Sequence, residues 1–232
     1  MKLKFNIKKD FRKFKEGTSY EFDFSDRDII FLVGPNASGK STLLHALRAN
    51  KNSLKETNLM IDNYLIGIKE TIEVEGLENF EKVFYLDSVI DDPINLGNAS
   101  DAFSFIDLGG YGQMNLSNGQ KTLSNIGRFL ENIKDKIVRD KTLIVLDEFD
   151  KGVDIDKQLK TVNILKTFVS LGAKVLIVSH YALSWLGSSK DVFDIIDNKF
   201  YEAHEYFKKI TGYSIILEKD LSIAAGSLHL ED

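Results

Sequence analysis

Ile29-Ile-Phe-Leu-Val33 runs without a polar residue straight into Gly34-Pro35-Asn36-Ala37-Ser38-Gly39-Lys40-Ser41-Thr42. A continuous apolar run of this length reads as a strand buried on both faces. Leu43, Leu44 and Leu47 then share one face of a helix over about 40–49. Two glycines thus bracket a turn between a strand and a helix. They let the backbone bend tightly, so that its N–H groups converge on phosphate oxygens. The helix start adds the positive end of its dipole. In Gly34-x4-Gly39-Lys40-Ser41 the lysine reaches the β- and γ-phosphates and the Ser41 hydroxyl is a Mg²⁺ ligand.

The rest of the chain surrounds this unit with alternating strands and helices. Leu3, Phe5 and Ile7, then Tyr20, Phe22 and Phe24, alternate with polar residues and predict antiparallel strands. Strands are expected at Val83–Leu86, Leu143–Leu146 and Val175–Val178, with a closing hairpin of Val192–Ile196 and Lys199–Glu202 turning at Asp197-Asn198. Helices are expected from Ser117 through Ile137, over about 155–170, and around Trp185. Apart from Val83–Leu86, the region from about 52 to 115 shows no clear period, and Asp91 to Gly112 reads as loops. The pattern predicts an α/β fold with a largely parallel core sheet, an antiparallel β subdomain and a small helical lobe.

Two strands end in polar pairs. Leu143-Ile-Val-Leu146 leads to Asp147-Glu148, and Val175-Leu-Ile-Val178 leads to Ser179-His180. Parallel sheets bind ligands at the carboxyl ends of their strands. Asp147 is placed to bind the metal directly or through water, Glu148 to polarise the attacking water, and His180 to donate to a γ-phosphate. His45, His204 and His229 read as loop histidines.

The composition is that of a soluble globular protein, with 43% hydrophobic and 28% charged residues and no cysteine. No apolar run reaches the roughly 18 residues of a membrane span, and a cytoplasmic location without membrane insertion is expected. The net charge of −5 gives no general pull toward nucleic acid. The first fifteen residues hold seven Lys/Arg and one Asp, either a solvated strand and turn or a phosphate-binding patch.

Leu116-Ser117-Asn118-Gly119-Gln120 lies between the phosphate loop and the acidic pair. With GPNASGKST, LSNGQ, LIVLDE, Asp154 and VLIVSH in that order, the chain resembles the ATP-binding-cassette (ABC) P-loop ATPases from about residue 3 to 205. The resemblance implies a head-to-tail homodimer around two ATP and Mg²⁺. Ser117, Gly119 and Gln120 would then meet the γ-phosphate held by the opposite subunit's Lys40, with Asp154 at the dimer seam. It implies a nucleotide-binding lobe of about 1–86 plus 141–205, a signature lobe of about 87–140 and an extension of about 206–232.

Asp147-Glu-Phe-Asp150 looks like the DE-apolar-D run of SMC-type heads, and Asp10-Phe-Arg12-Lys-Phe14 is similar to the opening of RecF, SMC and repair heads. Arg12 is therefore a candidate nucleotide contact. The roughly 75 residues between phosphate loop and signature carry no sustained heptads, so this would be a head without arms. No Gln follows the Val83–Leu86 strand where the family has one, and Asp87 or Ser88 stands in its place. The adenine-stacking aromatic is Phe11 or Phe14, unless these are core. The resemblance implies an ATPase acting as a conformational switch on a partner protein or nucleic acid. The alternatives are the ATP-binding subunit of an ABC membrane transporter and a low-turnover regulatory module.

Overall fold

The computed structural model describes residues 1–50, 59–87, 118–150 and 152–213. Its centre is a six-stranded sheet in the order β5-β6-β7-β3-β8-β9. These strands are β3 (Ile29–Val33), β5 (Lys82–Asp87), β6 (Thr142–Asp147), β7 (Ala173–Val178), β8 (Asp191–Asp194) and β9 (Lys199–Glu202). All neighbours run parallel except β8 and β9. A second, antiparallel sheet has the order β2-β1-β4, from β1 (Lys2–Ile7), β2 (Ser19–Asp23) and β4 (Ile72–Glu75).

The central strands β3, β6 and β7 are largely apolar because both faces are covered. Ile30, Leu32, Leu143, Val145, Leu176 and Val178 face one core, shared with the antiparallel sheet. That core also takes α1 (Lys40–Asn50) and α2 (Leu59–Thr71). Phe31, Val33, Ile144, Leu146, Val175 and Ile177 face the other. There they meet α3 (Asn118–Ile133), α4 (Ile155–Ser170), α5 (Ala182–Leu186) and α6 (Ala203–Thr211). Period-2 alternation along each strand thus feeds two cores, each dominated by aliphatic and Phe side chains.

Three expectations change in detail. The region after residue 52 contains α2 and β4, whose partner is β1. The hairpin strand ends at Asp194, not Ile196, so a four-residue connection replaces the two-residue turn. Ile195 leaves the ladder, is buried, and packs where a Cβ on Gly34 would come within 2.8 Å of its side chain. α3 stops at Ile133, with a 3₁₀ turn at Lys134–Lys136 continuing the pattern. The loops expected over Asp91 to Gly112 fall outside the described residues.

Candidate nucleotide site

The carboxyl ends of β3, β6 and β7 open onto a cleft of about 820 Å³. It is lined by Arg12 and Lys13, by loop residues 36–42, and by Glu148, Asp150, Gly152, His180 and Tyr181. Gly34 (φ 144°), Ala37 (φ 57°) and Gly39 (φ 104°) turn the loop through backbone conformations that glycine tolerates best. Phe14 fixes Gly39 as a glycine: a Cβ there would sit 2.5 Å from the Phe14 ring. Phe14 is itself 2% exposed and stacks edge-on against Tyr20, so it is core and not an adenine platform. Phe11 lies beside the Arg12 guanidinium, 5.4 Å from its ring centre.

The loop is built for an anion. Lys40 is buried, and its ammonium donates to the Gly34 and Pro35 carbonyls, each at 2.9 Å. Burial pulls its pKa down, against the nearby charges of Asp147, Glu148 and Asp150. The Ser38 hydroxyl is buried without a partner, the signature of a group that awaits a phosphate oxygen. Ser41 Oγ donates to Asp147 Oδ1 at 3.2 Å, so the expected Mg²⁺ ligand and the acidic residue already meet. Ser41 and Asp147 are hard oxygen donors and fit Mg²⁺. Burial, and then the Asp87 charge, push the Asp147 carboxyl up to about 7. A bound cation would relieve both effects.

Glu148 and His180 stand side by side on one wall of the cleft, with Nε2 3.7 Å from Oε1. Glu148 sits at φ 50°, a strained backbone for a non-glycine residue. Asp150 holds this wall from behind. Its Oδ2 accepts from the Ser179 hydroxyl (2.6 Å), the His180 N–H (2.8 Å) and the Tyr181 N–H (3.3 Å). Gln158, buried on α4, donates to the Asp150 and Val153 carbonyls and accepts from Ser184. Neither anchor carries a role in the sequence reading, because each acts by packing and hydrogen bonding through the fold.

The structure separates the remaining candidates. Arg12 and Thr42 line the cleft; Asp154 is exposed at the start of α4, bonded to Lys157 at 2.9 Å. Gly119 and Gln120 lie in the first turn of α3, and Ser117 lies outside the described residues. His45 is not a loop histidine. It projects from α1 toward Asp87, with Nε2 2.5 Å from Oδ2. Asp87, the last residue of β5, pairs in register with Asp147 and is buried. It is the residue standing beside the site where the family's glutamine is missing; Ser88 is outside the described residues. His204 is the second residue of α6 and so is not a loop histidine, and His229 is outside the described residues.

The chain is similar to the hemin import ATP-binding protein HmuV of Pseudoalteromonas translucida (strain TAC 125), 25% identical over 198 residues, 76% of each protein. Its fold matches that of a nucleotide-free ATP-binding cassette from an ABC transporter. That match has a TM-score of 0.54 and 18% identity, covering 92% of this chain and 96% of the other. A dimeric ATP-binding cassette in a post-hydrolysis state, bound to ADP and Pi, matches with a TM-score of 0.50 and 14% identity. It covers 87% of this chain and 98% of the other. No helix among the described residues is long and apolar enough to cross a membrane. An AAA domain family model matches residues 8–222, and with the phosphate loop, acidic pair and histidine gathered in one cleft, the chain belongs to that family as an ABC-type P-loop ATPase using ATP and Mg²⁺.

Proposed function

We propose that this chain is the ATP-driven subunit of a larger machine, closing head-to-tail with a second copy over two nucleotides and opening after hydrolysis. The observation that carries this is the one-sided cleft. Lys40, Ser41, Glu148 and His180 gather at it, with Asp147 bonded to Ser41, while the exposed Asp154 is not among its lining residues. A second subunit would bring Ser117, Gly119 and Gln120 to the open face, where a helix start offers N–H donors to an anion.

Within one site the roles divide by position. The loop N–H groups and Lys40 hold the phosphates and fix the γ-phosphate against Glu148. Glu148 accepts a proton from the attacking water, and its strained backbone keeps the carboxylate pointed into the cleft. His180, set by Asp150, orients against both Glu148 and the γ-phosphate. Mg²⁺ held through Ser41 and Asp147 supplies charge neutralisation of the phosphates.

The partner that takes up the motion is read first as a membrane transporter, because the similar curated protein is a hemin import ATP-binding protein. The second reading, a soluble SMC- or RecF-like switch, rests on Asp150. In the DEFD run this residue ties the acidic loop to Ser179, His180 and Tyr181. The nucleotide-dependent dimer is tested by sizing Glu148→Gln with ATP: a dimer supports the proposal, and monomer alone overturns it. A neighbouring reading frame for a multi-span membrane protein selects the first partner. Duplex DNA binding lost when Lys8, Lys9, Arg12 and Lys13 are neutralised selects the second.

A further inference from the structure

Asp87 and Asp147 end adjacent parallel strands, in register, and each is only 6% exposed. His45 faces both from α1. Its Nε2 is 2.5 Å from Asp87 Oδ2 and 3.9 Å from Asp147 Oδ2. One carboxylate oxygen from each Asp and one His45 ring nitrogen lie within 4.8 Å of one another. The other ring nitrogen, Nδ1, is 3.1 Å from the Tyr64 hydroxyl on α2.

Two buried carboxylates side by side favour a cation, because gathering like charge out of water is unfavourable. His45 beside Asp87 and the Lys40 ammonium near Asp147 offset part of that charge from outside; a divalent ion between the carboxylates would bind both directly. We propose that His45, Asp87 and Asp147 bind one divalent first-row transition ion, with Mn²⁺ favoured over Mg²⁺. The donor set decides the preference. Mg²⁺ takes oxygen ligands and retains its waters, whereas an imidazole beside carboxylates suits transition ions.

The surroundings support ligation. Ser41 donates to Asp147 Oδ1, which leaves Oδ2 for the ion. An Nδ1–H donated to the Tyr64 oxygen turns the Nε2 lone pair toward the two carboxylates, the support that ligating histidines commonly have. Ligand atoms sharing an ion at about 2.1 Å lie roughly 3–4 Å apart. The Asp147 separation already fits, and Asp87 has only to draw back slightly. The proposal extends the metal-dependent reading above because both share Asp147. Its binding requires neither nucleotide nor a second subunit.

The test titrates the full chain with MnCl₂ in the absence of nucleotide, following the EPR signal of free Mn²⁺. The expected result is one Mn²⁺ per chain, bound about tenfold or more tighter than Mg²⁺ in competition, with nitrogen hyperfine coupling from the imidazole. His45→Gln should weaken Mn²⁺ by about tenfold or more and remove the nitrogen coupling. Should that variant fail to fold, nitrogen coupling in the unmodified protein decides alone. Absence of saturable Mn²⁺ binding overturns the site and leaves a self-neutralised His–Asp pair; so does Mn²⁺ bound without nitrogen coupling. Either result leaves ATP hydrolysis standing, and a chain that binds Mn²⁺ without hydrolysing ATP leaves this site standing.

Discussion

On one wall of the cleft, Glu148 and His180 keep 25% and 30% of their side chains exposed, and a buried carboxylate behind them, Asp150, fixes the backbone. A second wall, outside the cleft lining, is formed by His45 and Asp87, nearly enclosed and held between α1, α2 and β5 by direct side-chain contacts. The difference follows the chemistry. Groups that handle water must reach it, so they are positioned from behind. Groups that hold a cation work best away from water, where charge is least screened. Substitutions of the exposed Glu148 and His180 should therefore change rate more than stability, whereas those of the buried Asp150 behind them should change both, and those on the second wall should change stability and ion binding.

The largest effect is expected at Glu148. Replacing it with Gln keeps the shape but removes the base, and turnover should fall by roughly 10²–10⁴-fold. Steady-state ATP hydrolysis measures this, with nucleotide binding followed separately. A residual rate near that of the unmodified protein would place the base elsewhere and break the division between the walls.

Much of the first wall was legible in the sequence. Strands β6 and β7 are apolar up to their last turn and then become polar, and that switch marks a ligand-facing strand end. The second wall was not, because it depends on register. Nothing in Val83-Phe-Tyr-Leu86-Asp87 says that Asp87 will stand beside Asp147 until β5 is known to pair with β6. His45 adjoins Leu44 in a helix whose apolar face was evident, yet its target lies on another element. α2 was hidden by a weak pattern, with Leu65 and Ile68 buried but Ile66 46% exposed and Gly67 mid-helix. The signature segment was legible only as a motif, since in the proposed dimer its effect would fall on another copy.

The second wall should show itself in the pH dependence of stability. The Asp147 carboxyl is raised from 3.8 to about 7, so the metal-free folded state holds its proton more tightly than the unfolded chain does. That contribution is fully present below pH 3.8 and is lost by the time pH has risen past about 7. Unfolding free energy should thus fall across this window by an amount on the order of 4 kcal/mol. Asp147→Asn should flatten the slope in denaturant titrations of metal-free protein. An unchanged slope would mean that another group carries it.

Asp150→Ala tests the anchor of the first wall. It leaves the Ser179 hydroxyl and the His180 and Tyr181 N–H groups without their shared acceptor. A loss of about 3 kcal/mol is expected, typical of removing a charged acceptor from buried donors. Turnover should fall as well, since His180 is no longer set beside Glu148. Loss of stability with full turnover would show that the His180 position is held by something else.

The smallest effect sharpens the comparison most. Tyr64 makes three contacts with two partners: its hydroxyl meets His45 Nδ1 at 3.1 Å, its ring packs edge-on to the same imidazole, and the Arg12 guanidinium sits 5.2 Å from its centre. Tyr64→Phe retains the ring, so both ring contacts survive and only the hydroxyl is removed. The loss of one partly buried hydrogen bond should lower stability by about 1 kcal/mol. This reads as a shift in the denaturant midpoint at unchanged m-value. ATP affinity should stay within about twofold, because Arg12 retains its platform. A larger drop in ATP affinity than in stability would mean that the hydroxyl steers Arg12, and the two walls would then be coupled through α2 instead of acting apart.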